Sequence, residues 1–304
     1  MKYSNLSRTQ NRITLEYRRF LSKSVLRQKN FILNYHRVAN NFWDPNYTTV
    51  SVDNFKRQID YLDQNFEIVS IGHMCNLIKN KSPFHNKVCI TFDDGYRSTQ
   101  ENAINWLASQ KIPSTTYLTT ALIDSSQYYW WDCLTEKLNI NGPKSENLQQ
   151  YRELAKEIRT ATPDHRTALY SKNVKQEDSR FTAVSVDEIK DIATNPYITI
   201  GAHSVNHYSL AHQTIGIQQT EIAVSKRALE DIINKAVTHF AYPYGSRNFD
   251  YNKDTIELLK LNNFESSVIT NHGRISSKSN LFELFRFGVR EQELNSFIDF
   301  INEI

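Results

Sequence analysis

The chain has 304 residues, 39% apolar and 12% aromatic, so it can bury a large core, and a single catalytic-sized domain accounts for its length. No stretch approaches the roughly eighteen apolar residues of a membrane span. The three cysteines, Cys75, Cys89 and Cys133, are an odd number without paired spacing, which favours reduced core thiols over disulfides or a zinc cluster.

The net charge of +3 is unevenly placed. Within residues 1–30, Lys2, Arg8, Arg12, Arg18, Arg19, Lys23, Arg27 and Lys29 oppose only Glu16, so the remainder is net negative. Ile13, Tyr17, Phe20, Leu21, Ser24 and Val25 recur at helical spacing and predict a basic amphipathic helix over 12–28. Such a helix either touches an anionic membrane surface peripherally or packs over the body with a solvated basic face. No recognition motif accompanies the charge, so nucleic acid is not an expected partner. Residues 1–30 also lack an uninterrupted apolar segment of signal-peptide length, and the expected location is cytoplasmic, with the inner face of the membrane as the option if the basic helix makes that peripheral contact.

Beyond this segment, strands and helices alternate. Phe31-Ile-Leu-Asn-Tyr-His36 is an apolar run ending in a histidine. Ser51 to Phe66 reads as a capped helix with Phe55, Ile59 and Leu62 on one face, and Glu67–Ile71 as a strand. Val88-Cys-Ile-Thr-Phe92 predicts a buried strand that delivers Asp93 and Asp94 to its C-terminal end, where Gly95 lets the chain turn. A helix over 99–110 and a strand over 114–118 follow. The stretch 124–186 breaks this rhythm and predicts a helical insertion on a strand-to-helix loop. It opens with Tyr128-Tyr-Trp-Trp-Asp-Cys-Leu134, whose rings and Asp132 offer a platform for a sugar or, alternatively, a small core of the insertion's own. Tyr197–Ala202 is a second apolar run, and His203 and His207, four apart, share one side if a helical turn starts there. Helices over 220–234 and 251–262, a strand over 266–270 and a last strand over 284–289 carrying Arg286 complete the pattern.

One carboxylate and two imidazoles make a facial metal triad with open positions for water and substrate. The second carboxylate is then a spare base beside a metal-activated water, the equipment of a hydrolase. Neither motif alone is specific; their combination, with Phe240-Ala-Tyr-Pro-Tyr-Gly245 downstream, points to a metal site.

Thr91-Phe-Asp-Asp-Gly-Tyr96, His203-Ser-Val-Asn-His207 and the 240–245 segment resemble the motifs of the polysaccharide deacetylase family, also called the nodulation-protein-B homology domain or carbohydrate esterase family 4. The resemblance covers about residues 30–290. It implies an α/β fold, a distorted (β/α) barrel of fewer than eight complete units with about seven strands, over 31–304 with the insertion at about 124–186. It further implies that Asp93 is the general base, that Asp94, His203 and His207 hold the metal, and that the Tyr244 backbone N–H binds the oxyanion. Many members carry an arginine that pairs with the base where this chain has Ala241. Arg286 is the candidate replacement, unless it is a solvent-facing residue at a strand end. A late histidine that acts as general acid in many members has no clear copy, since His272 lies in a polar loop. His36 resembles the histidine of a subgroup in which that strand has moved to the front, and there it would protonate the leaving amine; the alternative is a buried, structurally paired histidine.

The expected function is metal-dependent removal of an N-acetyl group from an amino sugar of a glycan or glycan precursor in surface polysaccharide biosynthesis. The expected partner is therefore an N-acylated amino sugar or oligosaccharide. Zn²⁺ is the first candidate ion, with Co²⁺, Ni²⁺, Mn²⁺ and Fe²⁺ suited to the same ligands. The alternatives are a deformylase or other amide hydrolase on a lipid- or nucleotide-linked sugar, and a non-catalytic carbohydrate-binding domain.

Overall fold

The computed structural model describes residues 29–40, 42–125, 127–169 and 178–304. The expected basic helix at 12–28 lies outside the described residues. In chain order the strands are β1 (Phe31–Tyr35), β2 (Arg37–Val38), β3 (Thr49–Val50), β4 (Glu67–Ile68), β5 (Lys87–Phe92), β6 (Ser114–Leu118), β7 (Ile198–Ala202), β8 (His239–Ala241), β9 (Ser266–Val268) and β10 (Phe287–Gly288).

Seven strands follow one another in the order β10-β1-β5-β6-β7-β8-β9, and every pairing is parallel. The short β4 lies beside the start of β5, and β2 and β3 form a separate pair. Strands β1 and β6 are buried along their whole length, which is why they read as continuous runs and not as alternating ones. The stretch 281–289 closes the ring. It hydrogen-bonds to β9 through Ser267 N to Leu281 O (2.8 Å) and Leu284 N to Ser267 O (3.0 Å), then pairs with β1 at Leu33 and Asn34. The result is the distorted (β/α) barrel, with seven strands on its main path, that the resemblance implied.

The helices cover the outside. In Val52–Asn65 the positions Phe55, Ile59 and Leu62 are fully buried, with Phe55 edge-on to Tyr35 at 5.3 Å. Each such side chain contributes about 1.5–3 kcal/mol by leaving water. Some boundaries differ from the sequence reading. The strand expected over 67–71 stops at Ile68, because the Ser70 hydroxyl accepts from His73 N and starts the helix Ile71–Lys79. The helix after β5 begins at Arg97 and contains a π-helical turn at Gln100–Ile104. The helix expected from 220 starts at Ile215, capped by Thr214, and the one expected from 251 starts at Lys253, capped by Asn252.

Between β6 and β7 lie the helices Trp130–Lys137, Leu148–Thr160, Pro163–Leu169 and Val186–Ala193. Tyr129, Trp130, Trp131, Leu134, Leu148, Tyr151 and Ile158 pack with Tyr96 as a cluster distinct from the barrel core. Among the described residues no helix is long and apolar enough to cross a membrane.

Gly201 in β7 has no room for a side chain. A Cβ there would overlap the Tyr117 ring and fall 2.9 Å from the His239 carbonyl oxygen, whereas one at Gly142 would meet nothing within 4 Å. Gly201→Ala is expected to lower stability by about 1–3 kcal/mol. Urea unfolding should show that loss, with Gly142→Ala as the control near zero.

Candidate active site

The site lies at the C-terminal ends of the strands. Asp93 and Asp94 follow β5, and the chain leaves through two left-handed residues, Asp94 (φ 73°) and Gly95 (φ 92°). A side chain at Gly95 would collide with Leu118. The turn points the two neighbouring carboxylates in different directions and gives them different partners.

Asp93 is buried against Arg286. The guanidinium donates from Nη1 to Oδ1 at 2.7 Å and from Nη2 to Oδ2 at 2.6 Å, and neither residue is appreciably exposed. Asn34 Nδ2 donates to Asp93 Oδ2 at 3.1 Å, and Asn34 Oδ1 and Thr91 Oγ1 accept from Arg286 Nη1 at 3.0 and 3.2 Å. Burial alone would favour the neutral acid, but Arg286, joined by His203 and His36, outweighs it and holds the Asp93 carboxyl well below the usual carboxylate range. Position 241 has a different task. The Ala241 carbonyl accepts from His203 Nδ1 at 2.7 Å, which puts the proton on Nδ1 and leaves Nε2 free as a ligand.

Asp94 has no such cation. Its Oδ1 forms no hydrogen bond among the described residues, and it sits 3.6 Å from His203 Nε2 and 3.5 Å from His207 Nε2. Burial and then the neighbouring Asp93 push its carboxyl well above the ordinary range. Burial likewise lowers both histidines, and for His207 the nearby His203 and Arg166 add to it. One atom from each of the three residues lies within 4.8 Å of the others. A buried carboxylate oxygen without a hydrogen bond, facing two imidazole nitrogens, fits a divalent cation.

The two imidazoles are not on a helical turn, as the four-residue spacing had suggested. Residues 203–209 form a loop with left-handed Ser204 (φ 63°) and His207 (φ 56°). The buried Glu221 carboxylate holds it by accepting from Val205 N (3.0 Å), Asn206 N (2.7 Å) and Asn206 Nδ2 (2.7 Å). Arg166 Nη1 donates to the His207 carbonyl at 3.0 Å. Extra hydrogen bonds of this kind sustain a loop backbone that a helix could not adopt.

Tyr244 is also left-handed (φ 59°), with its carbonyl accepting from Thr270 Oγ1 at 2.6 Å and its ring 4.6 Å from that of His207. Its backbone N–H has no partner among the described residues. His36 follows β1, keeps part of its ring open to the cleft, and is lowered to about 4 by burial, against the opposing pull of ionised Asp93. His272 is 5.0 Å from the Phe287 ring and lines a neighbouring lobe with His36 and Arg286.

All of Asp93, Asp94, His203, His207, His36 and Tyr244 border one cleft of about 780 Å³, while Arg286 stands behind Asp93. Trp130 and Trp131 line the cleft and belong to the insertion's own cluster, so the two readings of that aromatic run meet in the same residues. Asp132 does not face a sugar. It is buried, accepts both bonds of a pair from Arg37 Nη2 (2.8 and 2.7 Å), and accepts from Tyr96 OH at 3.0 Å.

The family model described as polysaccharide deacetylase matches residues 80–266. The chain belongs to the polysaccharide deacetylase family. The match contains both aspartates, both histidines and Tyr244, and leaves His36 and Arg286 on either side. A curated relative, the putative polysaccharide deacetylase YxkH of Bacillus subtilis (strain 168), is 27% identical over 103 residues, which is 34% of this chain and 35% of that protein. The fold is similar to the Streptococcus pyogenes deacetylase PplD solved with acetate (TM-score 0.59, 21% identity, 87% of this chain and 93% of that one). It is also similar to IcaB from Ammonifex degensii (TM-score 0.61, 19% identity, 90% and 97%).

Sequence reasoning missed Asn34, Arg166 and Glu221. A lone asparagine within the apolar run 31–35 was the available signal for the first. The other two sit in ordinary polar helices and left none. Arg286→Gln strands a buried carboxylate and is expected to cost about 3–5 kcal/mol. Arg286→Lys keeps the charge but cannot hold both oxygens. Chemical denaturation checks both, and a Gln variant as stable as the parent would show that Asp93 does not need the pair.

Proposed function

We propose that the chain is a metal-dependent N-deacetylase that removes acetyl from an N-acetylated amino sugar of a glycan or glycan precursor during surface polysaccharide biosynthesis. The observation that carries this reading is the pairing of two unlike carboxylates: Asp94 faces His203 and His207 without a hydrogen bond, and Asp93 beside it is held ionised by Arg286. A binding module has no need of a base next to a cation site.

Asp94, His203 and His207 would hold a divalent ion, which would supply Lewis-acid polarisation of the amide carbonyl and make nearby water more acidic. Asp93 takes the water proton on a carboxylate oxygen as the water oxygen bonds to the acyl carbon. The unpartnered Tyr244 N–H donates to the oxygen that becomes negative. Neutral His36, on the same cleft, carries the proton to the leaving nitrogen as the C–N bond breaks. Acetate and a free amine result.

Acetate release from N-acetylated sugars by the metal-loaded protein tests the reading, with Asp93→Asn as the control. The substitution is expected to remove at least about 10²-fold of the rate, the usual contribution of a general base. Activity unchanged in Asp93→Asn would refute the mechanism. Loss of metal should abolish release, and Asp94→Asn should weaken the ion's binding measured directly by titration.

The pH profile adds a separate check. His36 can accept a proton only while neutral, so the rate falls as pH drops through its own value. The acid limb is expected near or below about 4, not at the ordinary 6.5. Bound metal must be followed in the same samples, and an acid limb near 6.5 with metal retained would remove His36 from the relay.

A further inference from the structure

The walls of the cleft carry cations that the chemistry above does not use. Arg152 and Lys156 line it from the helix Leu148–Thr160, four residues apart and so on one face, and Arg290 lines it from the segment after β10. All three are exposed, and no carboxylate pairs with any of them among the described residues. The acids nearest in sequence are engaged elsewhere. Glu153 accepts from Gln149 Nε2 at 2.9 Å, and Glu157 lies 3.2 Å from His165 Nε2. Asp93 and Asp94 are the acids in the lining, one paired with Arg286 and the other facing the histidines.

Arg159, in the same lining, is a useful contrast. Its Nε donates to Asp250 at 2.9 Å and its guanidinium stacks on the Tyr244 and Phe249 rings, so its charge is spent within the protein. Arg290 also borders the adjoining lobe of about 480 Å³, which shares His36, Asn46, Thr48 and Thr270 with the main cleft. Three uncompensated cations thus stand on two walls of an extended groove, in a chain whose residues beyond 30 are net negative. Cations left unpaired around one cleft attract and orient an anionic ligand, and guanidinium forks suit phosphate or carboxylate oxygens.

We infer that the substrate is an anionic acetamido glycan: a phosphate or carboxylate on it is engaged by Arg152, Lys156 and Arg290 while its acetamido group reaches Asp93 and Asp94. This deepens the deacetylase reading and rests on it.

The test uses the full-length, metal-loaded protein and three N-acetylglucosamine oligosaccharides of equal length: neutral, phosphate-bearing and uronate-bearing. At low salt a charged substrate is expected to exceed the neutral one in kcat/KM by roughly tenfold, through KM, with the preference shrinking as salt rises. The double variant Arg152→Gln/Lys156→Gln, and separately Arg290→Gln, should bring the ratio toward one. The charged arm that is preferred names the anion. Equal kcat/KM for all three substrates at low salt overturns the inference and leaves the deacetylase reading standing. Salt-sensitive binding of the charged sugars that Arg290→Gln weakens, without acetate release from any, fails the deacetylase reading while leaving Arg152, Lys156 and Arg290 as an anion-binding groove. Neither binding nor release overturns both.

Discussion

The buried pair between Arg286 and Asp93 is the contact around which the rest of the site is arranged. Charges taken out of water cost several kcal/mol each, and only good geometry with every remaining donor and acceptor satisfied offsets that. Here the geometry is bidentate, and Asn34, Thr91 and the Ile269 carbonyl complete it. The pair therefore does less for stability than for position. It fixes a carboxylate in its ionised form at the strand end and ties the closing segment of the barrel to β1 and β5.

The neighbouring carboxylate shows the opposite solution. Asp94 is left without a cation of its own and is pushed toward neutrality, and this makes it suitable to share a positive ion with His203 and His207. The backbone around it is costly. Asp94, Ser204, His207 and Tyr244 all lie in the left-handed region, where non-glycine residues are uncommon and carry strain of order 1 kcal/mol or more each. Glu221, Arg166 and Thr270 hold these turns from outside, so much of the polar network in this half of the barrel serves to keep four side chains and one N–H aimed at a single volume.

Much of this was legible in the sequence for a physical reason. Parallel strands buried on both faces read as unbroken apolar runs, and a functional residue at a strand end appears as a polar group directly after such a run. Asp93, Asp94, His36 and His203 all have that signature. Arg286 was readable as a cation in the last strand, but its pairing with Asp93 was offered only by the resemblance, because the contact spans 193 residues and nothing local encodes it. The helical turn on which the 203–207 spacing was conditional is a loop instead, since spacing alone does not reveal left-handed backbone. The insertion resisted interpretation for another reason. Its aromatic residues are at once a small core and a wall of the cleft, and amino-acid type does not separate those uses.

The way the ring closes also bears on when the protein can act. The stretch 281–289 is the last strand in the chain, and it brings the guanidinium that pairs with Asp93. A chain emerging from the ribosome contains β1 and β5 before residue 286 exists, so at that stage Asp93 has no guanidinium to pair with. Domains assemble from the N-terminus during synthesis at about 5–20 residues per second. A polypeptide that ends before residue 286 therefore lacks the cation that holds the buried Asp93 carboxyl ionised.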